Sequence, residues 1–199
     1  MYRQSFKKGF TFIELLVAFS IIGVLMTIVF AGASATRKSA RVAQRVSEMK
    51  KVQSALDLYY AKYKAYPSTL PWWGGATGGW RSVCNTWKGT GQDQVTSAND
   101  VIKDLPTGRL LVPDYIASMS NDPQMDAVNS TSCYLYKSDG ADYAFLDHQV
   151  TELASGPGAT YAKYPELYDY HRDGGQNVNI LDGSNFWAWK VSSPGAISW

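Results

Sequence analysis

The stretch Lys7-Lys8-Gly9-Phe10-Thr11-Phe12-Ile13-Glu14-Leu15-Leu16-Val17 decides how the rest of the chain is organised. It opens a run over residues 10–35 in which Glu14 is the one charged side chain. A helix needs about 20 apolar residues to cross the hydrocarbon core of a bilayer, so this run predicts a membrane-spanning helix. The basic residues before the run would keep the N-terminus on the cytoplasmic side.

Glu14 is the exception within this apolar run. A carboxylate inside a membrane segment costs about 2.5–3.5 kcal/mol on insertion scales. We therefore expect Glu14 to have a partner or a function. Its position is close to Gly9, near the start of the run and away from its middle.

Residues 9–17 resemble the processing site and first helix of type IV pilins and of type II secretion pseudopilins. The resemblance implies cleavage after Gly9 by a prepilin peptidase and methylation of the new N-terminus at Phe10. It also implies that the apolar helix polymerises into a filament. In that family a carboxylate matching Glu14 meets the free amine of a neighbouring subunit, so Glu14 is the expected assembly residue.

The same resemblance implies where the chain resides and what it meets. The expected location is the inner membrane for a single-pass precursor, followed by a surface pilus or a periplasmic pseudopilus. The expected partners are like subunits in a homo-oligomeric filament, other pilins, the prepilin peptidase, an inner-membrane assembly platform and membrane lipid.

Two other interpretations of the N-terminus compete with this one. A secretory signal peptide has an apolar region of about 7–15 residues, shorter than this run, although the small residues 31–35 would suit its cleavage site. A simple signal anchor fits the length and the flanking charge. Both leave the spacing of Gly9, Phe10 and Glu14 unexplained.

The helix is expected to continue beyond the apolar run, because residues 37–63 contain neither proline nor glycine. Apolar residues recur there at three- and four-residue spacing, which predicts a stripe packed on a domain. The predicted stripe comprises Val42, Val46, Met49, Leu56, Tyr59 or Tyr60, and Tyr63. The predicted opposite face carries Arg41, Arg45, Lys50 and Lys51. Pro67 should end the helix, since the residue before a proline avoids helical geometry.

Residues 67–199 are expected to form a globular head with a small antiparallel sheet. Residues 132–137 and 142–151 alternate around the turn Ser138-Asp139-Gly140, which predicts a hairpin. Residues 185–191 alternate as a further strand. In addition, segments 111–116, 121–123, 133–136 and 142–146 resemble the head pattern of bacterial pilins and pseudopilins.

The predicted fold class is therefore α+β, a long N-terminal helix packed on an antiparallel sheet, as in the pilin fold. Its expected parts are a leader (1–9), a hydrophobic transmembrane and assembly helix (10–35), an amphipathic half of the same helix (36–66) and the head (67–199).

Cys84 and Cys133 are the two cysteines of the chain. In an exported domain an even count favours one disulfide, and two free buried thiols are the alternative. The pair is too sparse in neighbouring ligands for a zinc site, so no metal is predicted from it.

The net charge of +2 conceals an asymmetry. Residues 37–64 carry eight Lys/Arg against two acids, and residues 65–199 carry eight against fourteen. The basic stretch favours a complementary acidic surface on the same or a neighbouring subunit. No nucleic-acid recognition motif accompanies it, so no specific nucleic acid is predicted.

The remaining features favour a structural role over catalysis. No catalytic motif is present, so the chain is not predicted to be an enzyme, and no cofactor is expected. The polar segments 173–179 and 182–185 supply oxygen ligands of the kind calcium uses, with polar turns as the alternative. Tryptophans over residues 72–87 suggest either loop packing or a binding surface.

The predicted function is a structural subunit of a type IV pilus-like filament that serves adhesion, motility or DNA uptake. A pseudopilin of type II secretion is the alternative within the same family. A membrane-anchored extracytoplasmic binding module, using the tryptophan loop, is the alternative from another class.

Overall fold

A computed structural model describes residues 9–70, 79–84, 93–125, 132–148, 164–167, 169 and 188–199. Among these, the side chains of residues 28–35, 93, 94 and 165 are outside the description. The chain divides into two compact units, Met1–Val42 and Ala43–Trp199.

Helix α1 runs over Phe12–Tyr63, 52 residues without interruption. It ends three residues earlier than residue 66, the predicted limit, because Lys64 adopts a left-handed conformation with φ 58°. The amide of Lys64 still donates to the carbonyl of Tyr60 at 2.8 Å, which closes the last turn. Pro67 therefore follows the helix end and does not cause it.

In the first unit, the side chains of residues 10–27 are exposed and mostly apolar, and two polar ones among them bond to their own helix. The hydroxyls of Ser20 and Thr27 each donate to a carbonyl three residues earlier at 2.7 Å, on Val17 and Val24. No helix stretch among the described residues is apolar enough over a sufficient length to cross a membrane.

The second unit contains a five-stranded sheet in the order β2-β1-β3-β4-β5. Its strands are β1 (Arg81–Ser82), β2 (Asp93–Gln94), β3 (Cys133–Ser138), β4 (Tyr143–His148) and β5 (Ala188–Ser192). The short pair β1 and β2 is parallel, and the other neighbours are antiparallel. The α+β fold class, with a long helix and an antiparallel sheet, is confirmed.

The predicted hairpin is present as β3 and β4, paired from Cys133↔His148 to Ser138↔Tyr143. Gly140 takes φ 96° in the turn between them, a conformation that disfavours residues with a Cβ. Strand β5 covers the described part of the strand predicted at 185–191 and extends one residue further.

The second half of α1 packs through the predicted stripe, which also includes residues that the prediction omitted. Val46, Met49, Leu56 and Tyr59 are buried as expected, and Val52 and Ala55 join them. The placement of Arg45 on the solvent face is wrong, because its side chain is fully buried. Positions 45, 49, 52, 56 and 59 share the spacing of one helix face, which brings the arginine inward with them.

A disulfide joins Cys84 to Cys133, whose Cα atoms lie 5.7 Å apart. It ties the segment after β1 to the first residue of β3 across a sequence separation of 49 residues. The predicted pairing is confirmed.

A C-terminal turn folds back onto the start of β4. The side chain of Asp142 accepts hydrogen bonds from the hydroxyl of Ser193 at 2.7 Å and from the amide of Gly195 at 3.0 Å. A Cβ on Gly195 would lie 2.0 Å from Asp142 Oδ2, so a larger residue at this position would displace the carboxylate.

Several predicted features lie outside the described residues. They are the leader up to residue 8, the tryptophans at 72, 73 and 87, and the possible calcium-binding segments 173–179 and 182–185.

Candidate assembly site

The first turn of α1 is closed by a reciprocal contact between Thr11 and Glu14. The Glu14 carboxylate oxygen Oε2 accepts from the amide and from the hydroxyl of Thr11, both at 2.8 Å. The Glu14 amide donates in return to the Thr11 hydroxyl at 3.3 Å. This is a capping box, in which a threonine before the helix and a glutamate three residues later satisfy otherwise unpaired amides.

The capping box orients the Glu14 carboxylate toward the start of the helix. Oε1 accepts no hydrogen bond from the described part of the chain, whereas Oε2 accepts two. One oxygen of Glu14 therefore remains able to meet a cation or donor from outside. The negative charge also suits the N-terminal end of a helix, where the backbone dipole is positive.

Gly9 and Phe10 precede the capped turn, and both are exposed. The Phe10 side chain is 86% exposed, and a Cβ added at Gly9 would meet nothing within 4 Å. The peptide bond between Gly9 and Phe10 is therefore not shielded by the described residues.

The helix that follows presents large apolar side chains in all directions. Eleven of them are exposed: Phe12, Ile13, Leu15, Leu16, Val17, Phe19, Ile21, Ile22, Val24, Leu25 and Met26. An apolar surface of this extent marks a site for lipid or for another protein surface.

Thr11 is the residue of this site that the sequence reasoning missed. Its signal was present, because a threonine followed three residues later by glutamate, ahead of an apolar run, is the sequence pattern of a capping box.

Arg45 forms a second cluster of charged side chains, inside the head. Its Nε lies 2.6 Å from Asp122 Oδ2 and 3.3 Å from Asp147 Oδ2, and all three side chains are inaccessible to solvent. Arg45 Nη2 also donates to Gln124 Oε1 at 2.9 Å. The sequence prediction placed this arginine in solvent and did not find the cluster.

Within the described residues, no three His, Cys, Asp or Glu side chains come together as a metal site.

The comparisons with known proteins address the N-terminal region first. Residues 5–30 match the family model described as the prokaryotic N-terminal methylation motif. The N-terminus is a prepilin-type motif. The recognition of a type IV pilin or pseudopilin resemblance is thereby confirmed.

One curated relative supports the same class. The type II secretion system core protein G of Pectobacterium carotovorum subsp. carotovorum is 37% identical over 68 residues. The match covers 34% of this chain and 42% of the relative, so the chain spans about two fifths of the relative's length. No solved structure matches the chain significantly.

The motif and the relative together support a similarity to type IV pilins and pseudopilins. Cleavage after Gly9, methylation at Phe10 and the assembly role of Glu14 stay predictions for this chain.

Proposed function

We propose that this chain is a structural subunit of a type IV pilus-like filament, cleaved after Gly9, methylated on Phe10 and polymerised through the first half of α1. The observation that carries the proposal is the exposed apolar surface of residues 10–26. The capped turn of Thr11 and Glu14 lies at its start and leaves one carboxylate oxygen of Glu14 open. The function is structural and involves no catalysis by this chain.

The expected location before assembly is the inner membrane, with the N-terminus on the cytoplasmic side. Lipid tails are about as apolar as leucine, so moving the helix from lipid into a bundle of like helices gains little from burial alone. Side-chain packing and a specific polar contact must then give the bundle its register. Glu14 provides that contact through its open oxygen.

The expected partner of Glu14 is the amine that cleavage creates on Phe10 of a neighbouring copy. In an apolar surrounding a carboxylate and an ammonium stabilise each other strongly, and either one alone is costly. Thr11 supports this contact by fixing the carboxylate at the start of the helix.

The decisive test compares filament yield for Glu14→Ala and Glu14→Gln with Asp57→Ala, which removes an exposed carboxylate from the second half of the same helix. Both Glu14 variants should insert and be processed but give few filaments, because the amine then lacks its partner. Asp57→Ala should assemble normally. Wild-type filament yield from Glu14→Ala would reject the role of Glu14.

A pseudopilin of type II secretion is the second candidate, favoured by the name of the relative. The large head with its disulfide favours a pilus subunit instead. Electron microscopy of the native cells, with and without the gene, separates the two. Loss of long surface fibres supports the pilus, and loss of protein secretion with no change in fibres supports the pseudopilin.

A membrane-anchored binding module is distinguished by the mature N-terminus. An intact Met1, or cleavage near residue 35, would favour that module over a filament subunit.

A further inference from the structure

Three charged side chains meet without access to solvent where the second half of α1 packs on β4. Arg45 lies on α1, Asp147 on β4 and Asp122 on the loop before β3. Removing a charge from water costs several kcal/mol in proteins, so such a cluster persists only if its charges balance and its hydrogen bonds are made.

The guanidinium of Arg45 pairs more closely with Asp122 than with Asp147. Its Nε and Nη2 donate to Oδ2 and Oδ1 of Asp122 at 2.6 and 3.2 Å, in the two-pronged geometry that arginine favours. Asp147 Oδ2 lies at ion-pair distance, 3.3 Å from Nε, but neither oxygen of Asp147 has a hydrogen-bond partner among the described residues.

The described residues that pack around Asp147 add no positive charge to that of Arg45. On α1, Glu48 is buried and pairs with Lys51 at 2.8 Å. On β3, Tyr134 lies opposite Asp147, and on β5, Trp189 does so. Among the described residues of the cluster, three carboxylates (Glu48, Asp122, Asp147) thus face two cations (Arg45, Lys51), which leaves one negative charge in excess.

A proton on Asp147 removes this excess. A protonated carboxyl also becomes a hydrogen-bond donor, and the Asp122 carboxylate, which lies beside Asp147 at the same Arg45 Nε, offers an acceptor. Burial, and after it the negative charge of Asp122, raise the pKa of Asp147 well above its usual range, and the charge of Arg45 opposes them.

We propose that Asp147 is a buried proton-binding site, held as a neutral acid that donates to Asp122, and that this proton is part of the packing between α1 and β4. The stability of the head then depends on whether Asp147 holds this proton. Its packing weakens as the surroundings become alkaline, independently of how the filament assembles.

The sign of the effect follows from which state holds the proton. In the unfolded chain an aspartate releases its proton near pH 4, whereas the folded chain keeps it to a higher pH. At any pH between the pKa of Asp147 in the unfolded chain and its higher pKa in the folded chain, unfolding releases one proton. Each pH unit should therefore raise the unfolding equilibrium constant by up to about tenfold through this site.

The test uses the full chain, purified in detergent, with unfolding by urea followed through tryptophan fluorescence between pH 5 and pH 9. Asp147→Asn keeps the shape and the donor but cannot ionise. Asp114→Asn removes an exposed aspartate and serves as the matched control. The wild type and Asp114→Asn should lose stability in parallel as the pH rises. Asp147→Asn should lose less stability. For each pH unit, its unfolding equilibrium constant should rise by up to about tenfold less than that of the wild type.

A second measurement remains informative if Asp147→Asn does not fold. Carbon-13 labelling of the aspartate carboxyls in the wild type should show one resonance, assigned to Asp147 by its loss in Asp147→Ala or by backbone connectivity, that stays in the protonated position at pH 6. A carboxylate resonance for Asp147 at that pH, or parallel pH profiles of Asp147→Asn and the wild type, would overturn the proposal.

Discussion

The two halves of α1 share one continuous backbone and differ in what their side chains require. In the first half, the described side chains through Met26 are almost all apolar and exposed, and the single carboxylate belongs to the capped first turn. In the second half, residues 43–63, one face is buried and includes Arg45 and Glu48, while the opposite face is mostly polar, with Leu58 and Tyr60 exposed on it. The first half therefore needs an apolar surrounding from outside the chain, and the second half already has one within the head.

This difference shows two ways in which the chain uses a charged side chain. Arg45 is satisfied by acceptors from its own chain, at fixed distances. Glu14 is satisfied in part, through Oε2, and its other oxygen is open. A charge completed inside the chain stabilises the fold, whereas we expect a charge left incomplete to direct assembly.

The largest expected effect concerns the first half and replaces Gly9 by leucine. The chain itself has room for the side chain, since a Cβ at Gly9 meets nothing within 4 Å. Any loss must then arise in the peptidase, and we expect uncleaved protein in the membrane and no filaments. Immunoblots that separate the leader-containing form from the cleaved form measure the amount of uncleaved protein. Normal processing of Gly9→Leu would count against the predicted cleavage site.

The next effect concerns the second half and replaces Arg45 by methionine. This leaves Asp122 buried without its cation, and removing one member of a buried pair costs about 3–5 kcal/mol. Lys50→Met is the matched control, because Lys50 and its partner Glu166 are more than half exposed and 3.8 Å apart. It should cost less than about 1 kcal/mol. Equal losses in urea unfolding would show that the burial of Arg45 has no energetic consequence.

The disulfide should matter for the head and not for the first half. Replacing both Cys84 and Cys133 by serine opens a loop with a sequence separation of 49 residues. The loss should be about 3–4 kcal/mol of unfolding free energy in the chain-entropy model. Urea unfolding under oxidising and reducing conditions checks it, since the wild type should lose stability on reduction and the double variant should not change. A reductant effect of the same size in the variant would contradict the assignment.

The smallest effect concerns the end of α1 and is a gain. Lys64 has φ 58°, a left-handed conformation that costs an ordinary residue about 1–2 kcal/mol. Lys64→Gly should therefore raise the unfolding free energy slightly, by up to about 1 kcal/mol, because glycine also gains freedom in the unfolded chain. Gln53→Gly, at an exposed position inside the helix, should instead lower it by about 1 kcal/mol. A loss of stability in Lys64→Gly would mean that the helix does not end there.

Local patterns were sufficient to predict much of this fold. The hairpin of β3 and β4 follows from alternation around Ser138-Asp139-Gly140, and the disulfide follows from an even cysteine count. The buried face of α1 follows from the spacing of Val46, Met49 and Leu56. Each of these features depends on the order of nearby residues or on the number of cysteines, and both can be read directly from the sequence.

Features that depend on distant partners were not predictable in this way. Arg45 was assigned to solvent because it is charged, and its burial depends on Asp122 and Asp147, which lie 77 and 102 positions later. Ser97 caps the 3-10 turn at Ala98–Asp100, and its side chain accepts from the amide of Asn99. The side chain of Asn99 accepts from the amide of Met119, a contact that local sequence does not reveal.

The candidate assembly site likewise has a part that local sequence predicts and a part that it does not. Gly9, Phe10 and Glu14 follow from a short linear motif, and that motif matches a family model over residues 5–30. The capping role of Thr11 also has a linear signal. The partner of the open Glu14 oxygen lies on another molecule in this account, so it cannot be read from one chain.

The central claim, that the chain is cut to expose a helix made for assembly, is tested most directly by the intact mass of the protein isolated from its native cells. The account predicts a chain that begins at Phe10 and carries one added methyl group, recovered in filaments. A chain that retains residues 1–9, recovered as a monomer, would contradict it.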